Sequence, residues 1–209
     1  RGSVSLRCAA VDVAPILREN LFNRDIGVVM TSATLTSGQE DFGHTRTRLG
    51  CEDAVAMTLG SPFDHARRMR GIVEPGMPEP RGRGYVDALS EHVLHHIRQT
   101  NGGAFVLFTS FAQLDQVVQA IGPTLADEEY PLHVHGRSGP RGHLVRRFRE
   151  SERSVLFGTS SFWQGIDVRG RALRNVIVTR LPFDVPDRPL VQARHEQIQS
   201  RGGDPFMED

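Results

Sequence analysis

The sequence predicts an α/β fold with a mainly parallel sheet and crossover helices. Short apolar runs rich in β-branched residues alternate with helical periods along the chain, which is typical of strand–helix–strand units. The runs are apolar at nearly every position, as expected for strands that are buried on both faces. The four strongest predicted strands are Ile26–Met30, Ala104–Phe108, Ser154–Phe157 and Asn175–Thr179. Weaker strands are predicted at Val4–Cys8, Ala54–Thr58, Arg70–Val73 and Leu132–Val134.

Four helices are predicted from apolar residues that recur every three or four positions. The shared faces are formed by Val86, Leu89, Val93 and Ile97, by Phe111, Leu114, Val118 and Ile121, by Leu144, Val145 and Phe148, and by Ala193 and Ile198. The segment Glu74–Gly84 reads EPGMPEPRGRG, and its density of Pro and Gly predicts a linker or a surface loop without regular structure.

The composition excludes several classes of site. The chain has 209 residues and 25 Lys+Arg, all of which are Arg. Without Lys it has neither a P-loop nor a Schiff-base lysine. Its two cysteines, Cys8 and Cys51, are too few for a disulfide framework or a four-cysteine iron–sulfur cluster, and they favour a reducing compartment. No apolar run approaches the roughly 18 residues that span a bilayer. We therefore expect a cytoplasmic protein without a membrane partner.

Charge is unevenly distributed although the formal net charge is zero. Between His133 and Arg174, nine Arg and three acidic residues give +6, whereas between Leu181 and Asp209 three Arg and six acidic residues give −3. The densest basic group contains Arg137 and Arg141 in a Gly/Pro-rich loop. These arginines fit a phosphate track for single-stranded DNA, and they equally fit a solvated surface.

Hydroxyl residues follow each strong predicted strand. Thr31-Ser32-Ala33-Thr34, Thr109-Ser110 and Thr159-Ser160-Ser161 are the main examples. The carboxyl ends of parallel strands form one edge, where ligands bind, and helix N-termini at that edge attract anions. The alternative is ordinary helix capping, for which Ser and Thr are preferred. Four such strand ends together predict a crevice that handles phosphate groups.

The histidines do not predict a metal site. His92, His95 and His96 are spaced to share a helix face, and His133 and His135 form a second pair. A zinc site requires three or four suitable ligands, and neither a cysteine nor an acidic cluster accompanies these histidines in the sequence.

Five segments occur in an order that carries a family resemblance. They are TSATLTS (Thr31–Ser37), SPFD (Ser61–Asp64), FVLFTSF (Phe105–Phe111), FGTSSFWQGIDVRG (Phe157–Gly170) and NVIVTRLPFDVPDRPLVQAR (Asn175–Arg194). The series resembles the carboxyl-terminal part of DinG/XPD-type superfamily 2 DNA helicases, nearer the bacterial DinG-like branch. The first segment is shared by many helicases, whereas the fourth followed by LPF is far more specific.

The resemblance implies a three-layer RecA-like domain and a function. Such helicases couple ATP hydrolysis, with Mg²⁺, to 5′-to-3′ movement on single-stranded DNA and serve in DNA repair. Residues 1–60 would be the C-terminal strip of helicase domain 1, and residues 61–209 would be domain 2, ending before motif VI. We expect no ATPase activity from this chain alone, no tightly bound cofactor and no iron–sulfur cluster. Its partners would be single-stranded DNA and the first helicase domain, with self-association through an exposed strand edge.

The resemblance also implies roles for particular residues. Gly165 and Asp167 would face the nucleotide. Motif III, which couples the nucleotide site to the DNA track, would consist of Thr31, Ser32, Ala33 and Thr34. The DNA backbone would contact Thr109, Ser110, Thr159, Ser160 and Ser161, with Arg137 and Arg141 as the basic track.

Two other classes of function compete with this interpretation. One is a non-catalytic nucleic-acid-binding module that uses the same crevice. The other is half of a nucleotide-sugar transferase, since such enzymes also place glycine and hydroxyl loops on α/β sheets. The roles of Trp163 and Gln164 are left open.

Overall fold

The structure is a computed structural model that describes residues 4–6, 8–36, 41–183 and 188–205. The chain divides into two compact units: the first unit comprises residues 1–70 and 184–209, and the second unit comprises residues 71–183. The first part of the chain forms α1 (Ala14–Leu17), a π-helical turn (Arg18–Phe22), α2 (Gly43–Leu49) and α3 (His65–Arg68). The second unit contains α4 (Tyr85–Gln99), β1 (Ala104–Leu107), α5 (Phe111–Asp127), β2 (Leu132–Val134), α6 (Arg141–Arg149), β3 (Val155–Gly158), 3₁₀ turns at Ser160–Phe162 and Gly170–Ala172, and β4 (Asn175–Val178). Helix α7 (Pro189–Ser200) follows in the first unit.

The second unit is built on a four-stranded sheet in the order β2-β3-β1-β4. Every pairing is parallel, and Ala104 of β1 lies opposite Val155 of β3 and Asn175 of β4. Parallel strands need crossover connections: α5 connects β1 to β2, and α6 connects β2 to its neighbour β3. The predicted α/β class with a parallel sheet is therefore confirmed.

Helices cover both faces of this sheet. Helices α4 and α5 bury their apolar stripes against one face, where Val106 and Phe157 are fully buried. Helix α6 covers the other face, where Leu144 and Phe148 pack with Leu156. Because successive strand residues point to opposite faces, each central strand contributes to both layers. The arrangement is the predicted three-layer one.

The predicted helices are confirmed with small shifts of their buried faces. In α4 the buried residues include Leu89, Val93 and Ile97, while Val86 is partly buried. In α5 Phe111 is 49% exposed at the first turn, and the buried stripe is Leu114, Val117, Ile121 and Leu125. The loop predicted at 74–84 has no helix or strand.

Several predicted strands are wrong. Ile26–Met30, Ala54–Thr58 and Arg70–Val73 form no strand, and Val4–Cys8 forms none in its described residues. Their side chains face solvent: Val29 is 88% exposed and Val55 is 99% exposed. A strand needs a partner for its backbone N–H and C=O groups, and in the described ranges no other strand pairs with these segments. Apolar, β-branched composition alone does not supply that partner.

Among the helices of the described residues, none has both the length and the apolar character needed to cross a membrane.

Candidate functional site

The carboxyl edge of the sheet gathers the residues that follow its four strands. Thr109 and Ser110 follow β1, Thr159-Ser160-Ser161 follow β3, and Thr179-Arg180 follow β4. Because all four strands are parallel, these residues lie at one edge. The structure therefore brings together the second-unit hydroxyl residues that the sequence singled out.

Ser110 caps the N-terminus of helix α5 and lies at the surface next to Thr109. Its Oγ accepts a hydrogen bond from the backbone N–H of Gln113 at 3.2 Å, so it is an N-cap. Thr109 and Ser110 are both exposed. A capped helix N-terminus still presents a partial positive charge, which favours an anion such as a phosphate group.

Thr159 differs from the two serines that follow it. It is only 2% exposed, and its hydroxyl lies 2.8 Å from Nδ1 of His135. Ser160 and Ser161 are exposed in the 3₁₀ turn. Thr159 thus fixes the end of β3 from inside, while Ser160 and Ser161 offer their hydroxyl groups to a ligand.

His135 follows β2 at this edge and lies between the residues after β1 and those after β3, a position that the sequence did not reveal. Its ring contacts Phe111 at a centroid distance of 4.9 Å and Phe162 at 4.7 Å. Burial, and then the charge of Arg141, lower the pKa of His135 below its ordinary value of 6.5. The His133-x-His135 spacing could have indicated it, because alternate residues of a strand lie on one face.

Gly158 permits the close approach of β3 and the 3₁₀ turn. A Cβ atom at this position would lie 2.7 Å from Cβ of Phe162 and 3.1 Å from the ring of Phe105. Trp163 is anchored next to it, since its Nε1 donates a hydrogen bond to the backbone carbonyl of Phe108 at 3.2 Å. Trp163 also packs against the apolar cluster between α6 and the sheet, which contains Leu144 and Phe148. It therefore connects the segment after β3 to the end of β1.

Two arginines of α6 hold the segment that contains Gly165 and Asp167. Arg141 donates from Nη2 to the carbonyls of Gln164 at 2.6 Å and Gly165 at 3.0 Å. Arg149 donates to the carbonyl of Asp167. The two arginines are eight positions apart in the helix, about 12 Å along its axis. The segment therefore runs along α6 away from the carboxyl edge.

Asp167 keeps an exposed carboxylate. It pairs with Arg169 at 3.2 Å, and this pair contributes little to stability because both side chains are in water. Arg149, Asp167, Arg169 and Ala172 line a shallow depression of about 350 Å³. The depression is therefore lined by two cations and one carboxylate.

The nucleotide fit is partial. The sequence has no Lys for a phosphate cradle. Within the described residues, Asp167 belongs to no group of three metal-ligating side chains. Within the described part of the chain, the residues around Asp167 therefore supply neither a phosphate cradle nor a Mg²⁺ site.

The two arginines predicted to form the basic track have partners within the protein. Arg137 forms an ion pair with Asp115 at 2.5 Å, and Arg141 is held by the carbonyls described above. By contrast, Arg171 and Arg180 are exposed and have no side-chain hydrogen bond or ion pair with any described residue. Arg180 follows β4 at the carboxyl edge, so it is a candidate phosphate contact that charge density in the sequence did not indicate.

The predicted coupling residues lie in the first unit. Thr31, Ser32, Ala33 and Thr34 are exposed and form a turn, where the backbone N–H of Thr34 donates to Oγ of Ser32 at 3.1 Å. They do not follow a strand, because Ile26–Met30 forms none. Their coupling role remains a prediction.

The domain is a three-layer parallel α/β domain, a class of protein in which ligands bind at the carboxyl edge of the sheet. Residues 93–208, more than half of the chain, match the family described as the helicase C-terminal domain. The chain belongs to this family. The predicted RecA-like class and the resemblance to DinG-type helicases are confirmed.

Curated relatives match nearly the whole chain. The ATP-dependent DNA helicase YoaA of Escherichia coli (strain K12) is 35% identical over 204 residues, covering 98% of this chain and 31% of that protein. The ATP-dependent DNA helicase DinG of Photobacterium profundum is 29% identical, covering 99% and 30%. The ATP-dependent helicase DinG of Mycobacterium tuberculosis (strain H37Rv, ATCC 25618) is 34% identical, covering 97% and 30%. The chain thus spans less than a third of the length of these relatives.

Proposed function

We propose that this chain is the second motor domain, with the last part of the first, of a cytoplasmic ATP-dependent DNA helicase that moves 5′ to 3′ on single-stranded DNA. In this proposal residues 1–60 belong to helicase domain 1 and residues 61–209 to domain 2. The complete protein uses ATP and Mg²⁺, and its first domain is the partner that completes the nucleotide site. Self-association through a strand edge is part of the proposal, since β4 pairs on one side only in the described sheet.

The observation that carries the proposal is the edge of the sheet at which strand ends, exposed hydroxyl groups and a helix N-terminus meet. Thr109, Ser110, Ser160 and Ser161 present hydroxyl groups there, and Arg180 adds a cation. Successive phosphates of a DNA strand need such a row of donors rather than a closed pocket. Thr159, Arg137 and Arg141 support this edge through the protein contacts described above.

Asp167 and Gly165 are proposed to face the nucleotide. The depression beside Asp167 belongs to the segment that follows Ser160 and Ser161 and is held by α6. A nucleotide bound there would therefore contact the same segment that begins at the DNA edge. Thr31–Thr34 would couple the two sites from the first domain.

The DNA edge is tested by two arginine variants that remove the same charge. Arg180 follows β4 at the carboxyl edge, whereas the backbone carbonyl of Arg171 lies beside Gly103, just before the amino end of β1. We expect Arg180→Ala to weaken binding of a fluorescent single-stranded oligonucleotide about three- to tenfold and to reduce the salt slope by about 1, because one phosphate contact is lost. Anisotropy titrations at several salt concentrations measure both.

Arg171→Ala is the matched control and should leave the affinity unchanged. Equal losses in the two variants would indicate a diffuse charge effect and contradict a DNA track at the carboxyl edge. Binding of a nucleotide sugar instead of DNA would favour a transferase.

The motor assignment is tested by comparing this chain with the complete protein. We expect no ATP hydrolysis above background from the chain alone, with or without single-stranded DNA, because phosphoryl transfer needs a phosphate cradle and Mg²⁺. The complete protein should hydrolyse ATP when DNA is added and should unwind a 5′-tailed duplex in preference to a 3′-tailed one. DNA binding without hydrolysis in the complete protein would indicate a non-catalytic binding module.

A further inference from the structure

The loop before α4 places a carboxylate between two histidines of that helix. Oε1 of Glu74 lies 2.6 Å from Nε2 of His96, and Oε2 lies 3.5 Å from Nδ1 of His92. The three candidate ligand atoms all lie within 4.8 Å of one another. This group is separate from the carboxyl edge of the sheet and from Asp167, and neither proposed role uses it.

The two histidines converge because of their spacing. Residues four apart on a helix lie on the same face, so His92 and His96 project side by side from α4. His95 packs edge-on against the ring of His96 at a centroid distance of 5.2 Å. His96 is therefore held in place, and its side chain is only 13% exposed.

The carboxylate comes from a part of the chain that spacing could not connect to the helix. Glu74 lies 22 residues before His96, in a segment without helix or strand. Met77, three residues later, packs against the core cluster beneath α4 and α5 and anchors this segment. The sequence analysis found no acidic partner for the histidines because only the fold brings Glu74 to them.

Two imidazoles and one carboxylate are a characteristic donor set for a divalent transition metal. Zn²⁺ binds His nitrogen at about 2.0–2.1 Å and carboxylate oxygen at about 2.0–2.2 Å, whereas Mg²⁺ and Ca²⁺ prefer oxygen ligands alone. Ligand atoms of a tetrahedral zinc ion are about 3.3 Å apart, as follows from those bond lengths. The His92–Glu74 separation of 3.5 Å already matches this spacing. The His96–Glu74 pair at 2.6 Å would open by less than about 1 Å.

We propose that Glu74, His92 and His96 form a binding site for one Zn²⁺ ion, which fastens the loop before α4 to that helix. The ion replaces the hydrogen bond between His96 and Glu74 and leaves its fourth position to water, since the side chains of His92 and Glu74 are 38% and 32% exposed. The three protein ligands come from two elements of the second unit, so the bound ion would link these elements, and the water-bound fourth position makes this an open zinc site.

The test is a calorimetric titration of the metal-free chain with zinc chloride, with thermal unfolding as a second measurement. We expect about one equivalent of tight binding and a zinc-dependent rise in Tm that magnesium chloride does not produce. His92→Ala and Glu74→Gln should each weaken binding at least about tenfold, since even the loss of a group that only orients a ligand has an effect of that size. Glu74→Gln retains a hydrogen-bond acceptor for His96, so it separates loss of the metal from loss of the fold.

Glu91→Gln is the matched control for Glu74→Gln. Glu91 is an exposed carboxylate of the same helix, lies next to a proposed ligand and does not belong to the group of three candidate ligands. Its substitution should leave zinc binding within about twofold of the unmodified chain. No saturable zinc binding, binding unchanged in His92→Ala and Glu74→Gln, or an equal loss in Glu91→Gln would each overturn the proposal. In those cases the three residues form a hydrogen-bonded ion pair only.

Discussion

His135 shows how the surroundings of one residue set a pH response. Its ring lies between Phe111 and Phe162, and its pKa is lowered chiefly by burial. The pKa of buried His133 is lowered in the same direction and for the same main reason. The folded protein therefore holds both rings neutral at pH values where the unfolded chain is already taking up protons.

We predict that the free energy of unfolding decreases as the pH falls from about 7.5 to 5.5. The sign follows because a depressed folded pKa leaves the unfolded state with more protons, so stability is full above the ordinary value of 6.5 and is lost as the pH falls through the folded pKa. Urea denaturation at several pH values measures it. His135→Gln keeps a polar side chain that does not titrate, so it should reduce the slope. A slope as steep as that of the unmodified chain would contradict the role of His135.

Residue types predicted the location of the site better than they predicted individual contacts. Thr109, Ser110, Ser160 and Ser161 are exposed at the edge where parallel strands end, because strand direction alone determines that edge. Charge density pointed to Arg137 and Arg141, yet the fold gives both of them protein partners. A sequence does not reveal which arginines are satisfied internally, since Asp115 and the carbonyl of Gln164 come from other elements.

At the scale of elements, the close packing at the end of β3 requires a glycine at position 158. Gly158 lies where the strand turns directly into the 3₁₀ turn, and Phe162 occupies the space that a Cβ atom would need. We predict that Gly158→Ala destabilises the protein by about 1–3 kcal/mol, because the methyl group overpacks a filled core. Equilibrium urea denaturation measures the change.

Gly142 is the matched control for this substitution. It lies in the first turn of α6, and no heavy atom within 4 Å would meet a Cβ atom there. Gly142→Ala should leave stability unchanged or raise it by up to about 1 kcal/mol, since alanine reduces the entropy of the unfolded chain. A Gly158→Ala variant as stable as Gly142→Ala would contradict this prediction, because it would show that Phe162 can shift to accommodate a methyl group at little energetic cost.

A strand could be predicted correctly only where an apolar, β-branched run also has neighbouring strands in the fold. Ala104–Phe108 and Ile26–Met30 have similar apolar, β-branched composition, but only the first has neighbouring strands on both sides. The helices were easier to predict, because each helix satisfies its own backbone and needs only one apolar face. Parallel pairing depends on distant residues, which composition does not encode.

At the scale of the whole molecule, most of the buried core lies in the second unit. Both apolar clusters consist of residues between Met77 and Ile177. Among the described residues of 1–70, the buried hydrophobic core includes only Ala14. Since burial of apolar area is the main driving force of folding, stability should be concentrated in residues 71–183.

We predict that residues 71–183, expressed alone, unfold in a single cooperative transition in urea with retained helical circular dichroism. Residues 1–70 alone should show no cooperative transition, because they bury too little apolar surface to offset the entropy of ordering. The compact units separate after Arg70, ten residues beyond the predicted end of helicase domain 1 at residue 60. A non-cooperative transition in 71–183 would show that the core needs the rest of the chain.

The first and last residues of helix α6, Arg141 and Arg149, both donate hydrogen bonds to backbone carbonyls of the segment after β3. A helix of nine residues is stiff, so the two attachment points keep a fixed separation. The segment cannot slide along the helix without breaking charge-assisted bonds at one end or the other. Because both attachment points lie on one helix, Gln164 and Asp167 should shift together with α6 rather than independently of each other.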